Sequence, residues 1–333
     1  GEMDNNWNIL LSEFRRLGGI VENVCQKEGE FGRGIFSIDP SLKSRIYTPS
    51  ALMIRKDDIC LENKNIRIKK DKEYNQEIKD FFHFYQDNFS WGGGGKETTE
   101  SFEKGLTIFP SSLKKLIKDY FLIDLEERHK DNWDEVVKKQ FLKARLVKYK
   151  NEAVIAPVWE LVNHDVISLP LILNLGGAST PNYPPMSGEI TQSYNNTSAL
   201  NRFFSYGFHA EETIVFSLPF SINLKDVGLQ INCKGNSLDN DLMKIERSAN
   251  TITIYGLPIA DANNPRLPNY YFDEILRRIG DRNIPKNLLL KILNLNILIR
   301  KRIIHESNLI DNEVSNMFIK VITYEINLIL NDN

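Results

Sequence analysis

A chain of 333 residues, 41% hydrophobic, with 42 Lys and Arg against 44 Asp and Glu, is globular in composition; this excludes a collagen, a disordered chain or a disulfide-stapled mini-scaffold. The length allows about two packed cores, and a net charge of -2 supplies no basic field for nucleic acid. Cys25, Cys60 and Cys233 are odd in number and form no CxxC pair, so neither a zinc cluster nor a disulfide framework is expected.

Along the chain, residues 8–18 (ILLSEFRRLGG) place Ile9, Leu10, Phe14 and Leu17 at helical spacing, with Gly18 and Gly19 as a stop. Short strands separated by Pro and Gly follow, through GRGIFSI and RIYTPSALMI. From Glu62 to about Arg145 the texture is that of a helical block, carrying Phe81, Phe82, Phe84 and Tyr85, then Leu113, Leu116, Ile117 and Phe121, then Trp133, Val136, Val137 and Phe141. Strand-like runs return over 146–215, and SLPFSINL and NTITIYGL give strand character to 216–258. After the linker ANNPRLPN, residues 270–330 read as three helices, broken near Gly280 to Pro285 and Asn308 to Asn312. The most apolar stretch, Leu288 to Ile304, contains Lys291, Arg300, Lys301 and Arg302 and reads as a core helix rather than a membrane span. Gly1 to Trp7 lack the charged-then-apolar pattern of a secretion signal, and a reducing, cytoplasmic type of compartment is the expectation, with non-classical export left open.

Several motifs reduce to ordinary structure. GGGGK at 92–96 has Ser90 and Glu97 where a phosphate loop needs Gly and Ser or Thr, so it reads as a mobile surface turn. Asn195-Asn196-Thr197 is a weak glycosylation triplet. The five histidines (83, 129, 164, 209 and 305) show no metal spacing, and no GxSxG elbow occurs.

Three short segments carry chemistry. Gly32-Arg33-Gly34-Ile35-Phe36 puts two glycines ahead of a strand, where backbone groups can approach a ligand closely. Ala156 to Asp165 is an apolar run ending in Asn163-His164. Gly188-Glu189-Ile190-Thr191-Gln192-Ser193-Tyr194 is followed by Tyr206-Gly207-Phe208. In that order and spacing the chain resembles the SET-domain methyltransferases. Its long insert and C-terminal lobe resemble the subclass containing the Rubisco large-subunit lysine methyltransferase and relatives that modify lysine or histidine, with FLKAR ending at Arg145 similar to the insert's last helix.

The resemblance implies an α+β fold: a SET domain of short β-sheets with a helical insert, plus a mainly helical C-terminal lobe. It divides the chain into 1–62 (N-terminal helix and first part of the SET core), 63–140 (helical insert), 141–215 (second part of the core) and 216–333 (substrate-binding lobe). It implies S-adenosylmethionine as the cofactor, with S-adenosylhomocysteine as product, and no metal. The backbone at Gly32, Arg33 and Gly34 would contact its methionine part, and Arg145 would pair with its carboxylate. Asn163 would accept from its amino group, the backbone of His164 would read the adenine edge, and Phe208 would stack on adenine. Tyr194 would place its hydroxyl beside the transferring methyl group as the catalytic residue, and Tyr206 would line the substrate channel. The partner implied is a protein whose lysine amine is methylated, with no direct nucleic acid or membrane contact and a monomeric state. Histidine methylation on the same scaffold is the alternative. So is an inactive protein-binding module, because Asn195 follows Tyr194 and Ala199 follows Ser198 where the family places Gly and Asn.

Overall fold

The computed structural model describes residues 2–174, 176–181, 188–194, 197–235, 243–280 and 284–331. Helix α1 (Glu2–Arg16) precedes strands β1 (Ile20–Glu22), β2 (Val24–Gly29), β3 (Gly32–Ser37), β4 (Arg45–Pro49), β5 (Ile54–Arg55), β6 (Ile59–Glu62) and β7 (Asn65–Ile68). Helices α2 (Gln76–Phe89), α3 (Gly95–Thr107), α4 (Ser111–Phe121), α5 (Leu125–Arg128) and α6 (Trp133–Arg145) follow. Then come β8 (Val147–Tyr149), β9 (Glu152–Ile155), β10 (Asn163–His164), β11 (Ile172–Leu173), β12 (Gly177–Ser179), β13 (Glu189–Gln192) and α7 (Ala199–Tyr206). Strands β14 (Ile214–Phe216), β15 (Phe220–Leu224), β16 (Leu229–Lys234), β17 (Lys244–Arg247), β18 (Thr251–Tyr255) and β19 (Pro258–Asp261) lead to α8 (Leu267–Ile279), α9 (Leu288–Ser307) and α10 (Glu313–Asn331). Small sheets and helices in this arrangement are the α+β class that the sequence implies.

The chain forms two compact units, Gly1–Ser101 with Asn132–Asn195 and Phe102–Asp131 with Asn196–Asn333. In the first unit, α1 buries Leu10, Leu11 and Phe14, and Gly19 lies so close to the Phe14 ring that a Cβ there would meet it at 2.5 Å. The helix therefore stops at two glycines with different tasks: Gly18, at φ +101°, turns the chain, and Gly19 leaves room for the ring. Four short sheets surround this core, in the orders β1-β4-β12-β11, β10-β13-β3-β2, β5-β9-β8 and β6-β7. The second of them sets the site: β13 pairs antiparallel with β3 (Glu189 opposite Phe36), and β10 pairs parallel with β13 (Asn163 opposite Thr191).

In the second unit, β15-β16-β18-β17 form a sheet whose inward residues, Leu229, Ile231 and Cys233 on β16, alternate with partly exposed ones. Phe272 and Ile275 of α8 and Ile292 of α9 join the same apolar cluster. A separate cluster joins Leu106 and Phe109 to Phe203, Phe204 and Phe318. The three C-terminal helices lie where the sequence places them, and α9 is the core helix expected over 288–304. Its Arg300 is buried rather than snorkelling, because Glu325 of α10 pairs with it at 3.2 Å. No helix among the described residues is long and apolar enough to cross a membrane.

Two local expectations change. The stretch read as a helical block from Glu62 opens with β7, which pairs with β6 through the turn Asn63-Lys64, both residues at positive φ (50° and 65°). The glycine run is not a free surface turn: Trp91–Gly93 form a turn of 3-10 helix and Gly95 begins α3. A Cβ at Gly92 would lie 2.1 Å from the Asp87 carbonyl oxygen, and one at Gly95 would lie 2.6 Å from the Phe141 ring. Packing against backbone and ring, not backbone freedom alone, selects glycine there. Asn195 and Asn196, and with them the acceptor asparagine of the glycosylation triplet and the residue after Tyr194, lie outside the described residues.

Candidate functional site

The site is built where β3, β10 and β13 lie side by side. The hairpin from β2 to β3 turns through Glu30-Phe31 between the paired Gly29 and Gly32. Gly32 has φ +82° with nothing within 4 Å of a Cβ, so glycine is needed there for its backbone. Gly34 is needed for space. A Cβ there would lie 2.2 Å from Glu189 Oε1 and 2.8 Å from Asn163 Nδ2.

Asn163, 130 residues from Arg33 in sequence, donates from Nδ2 to the Arg33 carbonyl at 3.0 Å and to Glu189 Oε1 at 3.0 Å. Both donations turn the side-chain carbonyl away from those partners and leave it to accept from elsewhere. Burial raises the Glu189 pKa above its ordinary value, and the Asn163 N–H offsets this only in part.

His164 is buried, and its Nδ1 accepts from the Tyr194 backbone N–H at 3.0 Å. The imidazole is therefore a structural tie between β10 and the chain leaving β13. Tyr194 donates its hydroxyl proton to the Val162 carbonyl at 2.6 Å, which fixes the phenol just ahead of Asn163. Its ring lies 5.1 Å from that of His164, tilted by 53°.

Arg145 is the last residue of α6, whose N-terminus is capped by the Asn132 side chain accepting from Asp134 N–H. Its guanidinium packs over Phe141, four residues earlier, at 4.6 Å. Nη1 donates to Glu160 Oε2 at 2.5 Å, while Glu160 Oε1 accepts from the Ser90 hydroxyl at 2.8 Å and from the Tyr85 hydroxyl. Burial works against the Arg145 charge, but Glu160, with smaller contributions from Tyr85 and Tyr194, outweighs it and holds the guanidinium charged. Burial, then Glu160, pushes the Tyr85 pKa well up, so that phenol stays a donor. The Arg145 side chain is 27% exposed while that of Glu160 is 2% exposed, so the arginine is tied from one side and open on another. Arg33 donates from Nη1 to the Gly93 carbonyl at 3.1 Å, which fastens β3 to the glycine run.

Gly32, Arg33, Gly34, Arg145, Asn163, His164 and Tyr194 thus all belong to the first unit. Tyr206 and Phe208 belong to the second, at the C-terminal end of α7 and just after it, with ring centroids 5.9 Å apart. Burial raises the Tyr206 pKa, and Arg202, whose guanidinium lies 5.1 Å from the ring centroid, moderates the shift. The residues that sequence reasoning did not single out are Glu160, Tyr85 and Ser90. Glu160 stands within the quoted apolar run, but only the fold reveals that it faces a tyrosine 75 positions away.

The chemistry of this donor set fits a zwitterionic ligand: a guanidinium for a carboxylate, an amide carbonyl for an ammonium, and a glycine-lined strand that allows close backbone approach. Among the described residues no group of three or more His, Cys, Asp and Glu is placed to hold a metal ion. No family model and no curated protein matches the chain. Among solved structures, the crystal structure of the SET domain of LSMT bound to lysine and AdoHcy is similar over 98% of this chain and 90% of that one, at 12% identity and a TM-score of 0.47. At that similarity any functional reading has to stand on the residues themselves.

Proposed function

We propose that the chain is an S-adenosylmethionine-dependent methyltransferase of the SET type, acting on a lysine side-chain amine of a protein. The observation that carries this reading is the meeting of Gly34, Asn163 and Glu189 on three adjacent strands, with the Tyr194 hydroxyl tied to the carbonyl that precedes Asn163. The bound donor would supply an electrophilic methyl group on a sulfonium. Arg145 would hold its carboxylate, Asn163 its ammonium, and the backbones of Gly32, Arg33, Gly34 and His164 the remainder, with Phe208 as the stacking ring.

The chain's own task is then to orient and dehydrate rather than to form a covalent intermediate. A lysine amine, with an ordinary pKa of about 10.4, must be neutral to attack, and removal from water favours the neutral form. The Tyr194 proton is committed to Val162, so its oxygen can accept from the amine and aim the nitrogen lone pair.

Transfer of labelled methyl from S-adenosylmethionine to a protein mixture, followed by mapping of the modified residue, tests the reading. Lysine is expected, and a histidine product or no product refutes it. Tyr194→Phe is expected to lower turnover by roughly a hundredfold, the lower end of what a positioned polar group contributes, with donor affinity kept. Unchanged turnover would remove Tyr194 from the mechanism.

A further inference from the structure

The second unit contains a cleft of about 70 Å³ whose lining includes Tyr120, Phe121, Phe216, Asn201, Arg300 and Glu325. The site residues of the first unit play no part in it. Arg300 and Glu325 are its buried charged members, each 1% exposed at the side chain.

The hydrogen-bond capacity of this pair decides what the cleft accepts. Arg300 directs Nη1 to the Asn296 carbonyl (3.3 Å) and to Asn296 Oδ1 (2.8 Å), and Nη2 to the Phe216 carbonyl (3.3 Å). Its Nε and Nη2 both reach Glu325 Oε1 at 3.2 Å. A guanidinium has five N–H donors; four are hydrogen-bonded here and the second Nη2 proton lies on the side of Glu325 Oε1, so an entering anion would have to compete with that carboxylate. Glu325 differs: Oε1 takes both contacts from Arg300, and Oε2 has no partner among the described residues. Burial raises the Glu325 pKa and Arg300 offsets this only in part, the condition of a carboxylate short of donors.

An entering cation would satisfy Oε2 but leave a net charge beside a pair that is already neutral, at the cost of its own desolvation. A neutral donor carries no such cost. Asn201 lies on the same lining; its hydrogen bond among the described residues runs from the backbone N–H to Ser198 Oγ, which leaves the side-chain amide to donate to a carbonyl. The volume is about half of the ~150 Å³ cavity that holds benzene, which suits a short aliphatic body rather than a ring.

We infer that this cleft is a binding site for a primary carboxamide on a short aliphatic stem, its N–H donated to Glu325 and its carbonyl facing Asn201. Butyramide, butylammonium and butyrate titrated into the full chain, with saturation-transfer NMR as the readout, test it. Butyramide is expected to bind saturably and at least about tenfold more tightly than either charged analogue, the lower end of what a hydrogen bond to a charged group contributes. Glu325→Gln should abolish the preference. Because that change strips Arg300 of its partner and can unfold the chain, Asn201→Ala is the second variant, expected to weaken butyramide by about threefold to tenfold. Non-saturable butyramide binding, equal binding of a charged analogue, or an unchanged affinity in folded Asn201→Ala would each overturn the assignment.

Discussion

Glu160→Gln isolates what holds Arg145 in place. The wild-type carboxylate accepts from Tyr85, Ser90 and Arg145 at once. A glutamine can turn its carbonyl oxygen to Tyr85 and Ser90, but its amide nitrogen then faces Arg145 Nη1, donor against donor. Breaking one side of a buried charge pair costs about 3–5 kcal/mol. Arg145 keeps 27% of its side chain in water, which places the expected loss near the lower limit, about 3 kcal/mol. Urea unfolding of variant and wild type measures it. The same substitution releases the guanidinium from its fixed direction, so S-adenosylhomocysteine affinity, read by calorimetry, is expected to fall about tenfold, as befits a charge-assisted contact that has lost its alignment. A variant with the wild-type urea midpoint and unchanged affinity would show that Glu160 neither stabilises nor positions Arg145.

Gly34→Ala places a methyl group 2.2 Å from Glu189 Oε1 and should break the Asn163 bridge; reduced S-adenosylhomocysteine affinity in a chain with wild-type far-ultraviolet dichroism is the expected outcome. Gly95→Ala meets the Phe141 ring and the Ser90 carbonyl at 2.6 and 2.7 Å and is expected to cost about 1–3 kcal/mol in urea unfolding. Glu103 is a buried acid-sensitive group of the second unit. Burial raises its pKa, but His129 and the Arg128 guanidinium, which it binds at 2.8 and 2.9 Å, outweigh burial and leave it below its ordinary value of 4.5. Its stabilisation is therefore complete above that ordinary value and is lost as the pH falls through the lower, folded pKa. The urea midpoints of wild type and Glu103→Gln should converge on acidification, and a constant gap would refute the sign.

Elements with strong local signals were legible in the sequence. The α1 stop at Gly18-Gly19 and the three C-terminal helices follow from spacing and turn chemistry alone. The hairpin at Asn63-Lys64 uses the same device as Lys150-Asn151, two successive residues at positive φ. It was obscured because Lys64 stands where glycine most often marks such a turn and because polar residues crowd the segment that follows. The site was legible as a set of segments, since GxG, the Asn-His pair and the later tyrosine each carry their own residue-type logic. Its supports were not. Glu160 binds partners 75, 70 and 15 positions away, and no local pattern encodes a pairing created by the tertiary fold.

One strained residue links these supports to the site. Val158 has φ 70° and ψ -54°, a conformation that a β-branched residue adopts only under constraint, and Trp159 N–H bonds to the Pro157 carbonyl across it at 2.8 Å. Such a conformation costs about 1–3 kcal/mol. Burying the Val158 side chain completely offsets a comparable amount, about 1.5–3 kcal/mol, and the Thr48 hydroxyl secures the same Pro157 carbonyl at 2.6 Å. The sharp turn ends the run from β9 and lets the chain make one turn of 3-10 helix before β10. Within those few residues, Glu160 is delivered to Tyr85, Ser90 and Arg145, the Val162 carbonyl to the Tyr194 hydroxyl, and Asn163 to Arg33 and Glu189. The strained turn at Val158 therefore opens the one short segment that carries both the buried anchor of Arg145 and the alignment of Asn163 with Tyr194.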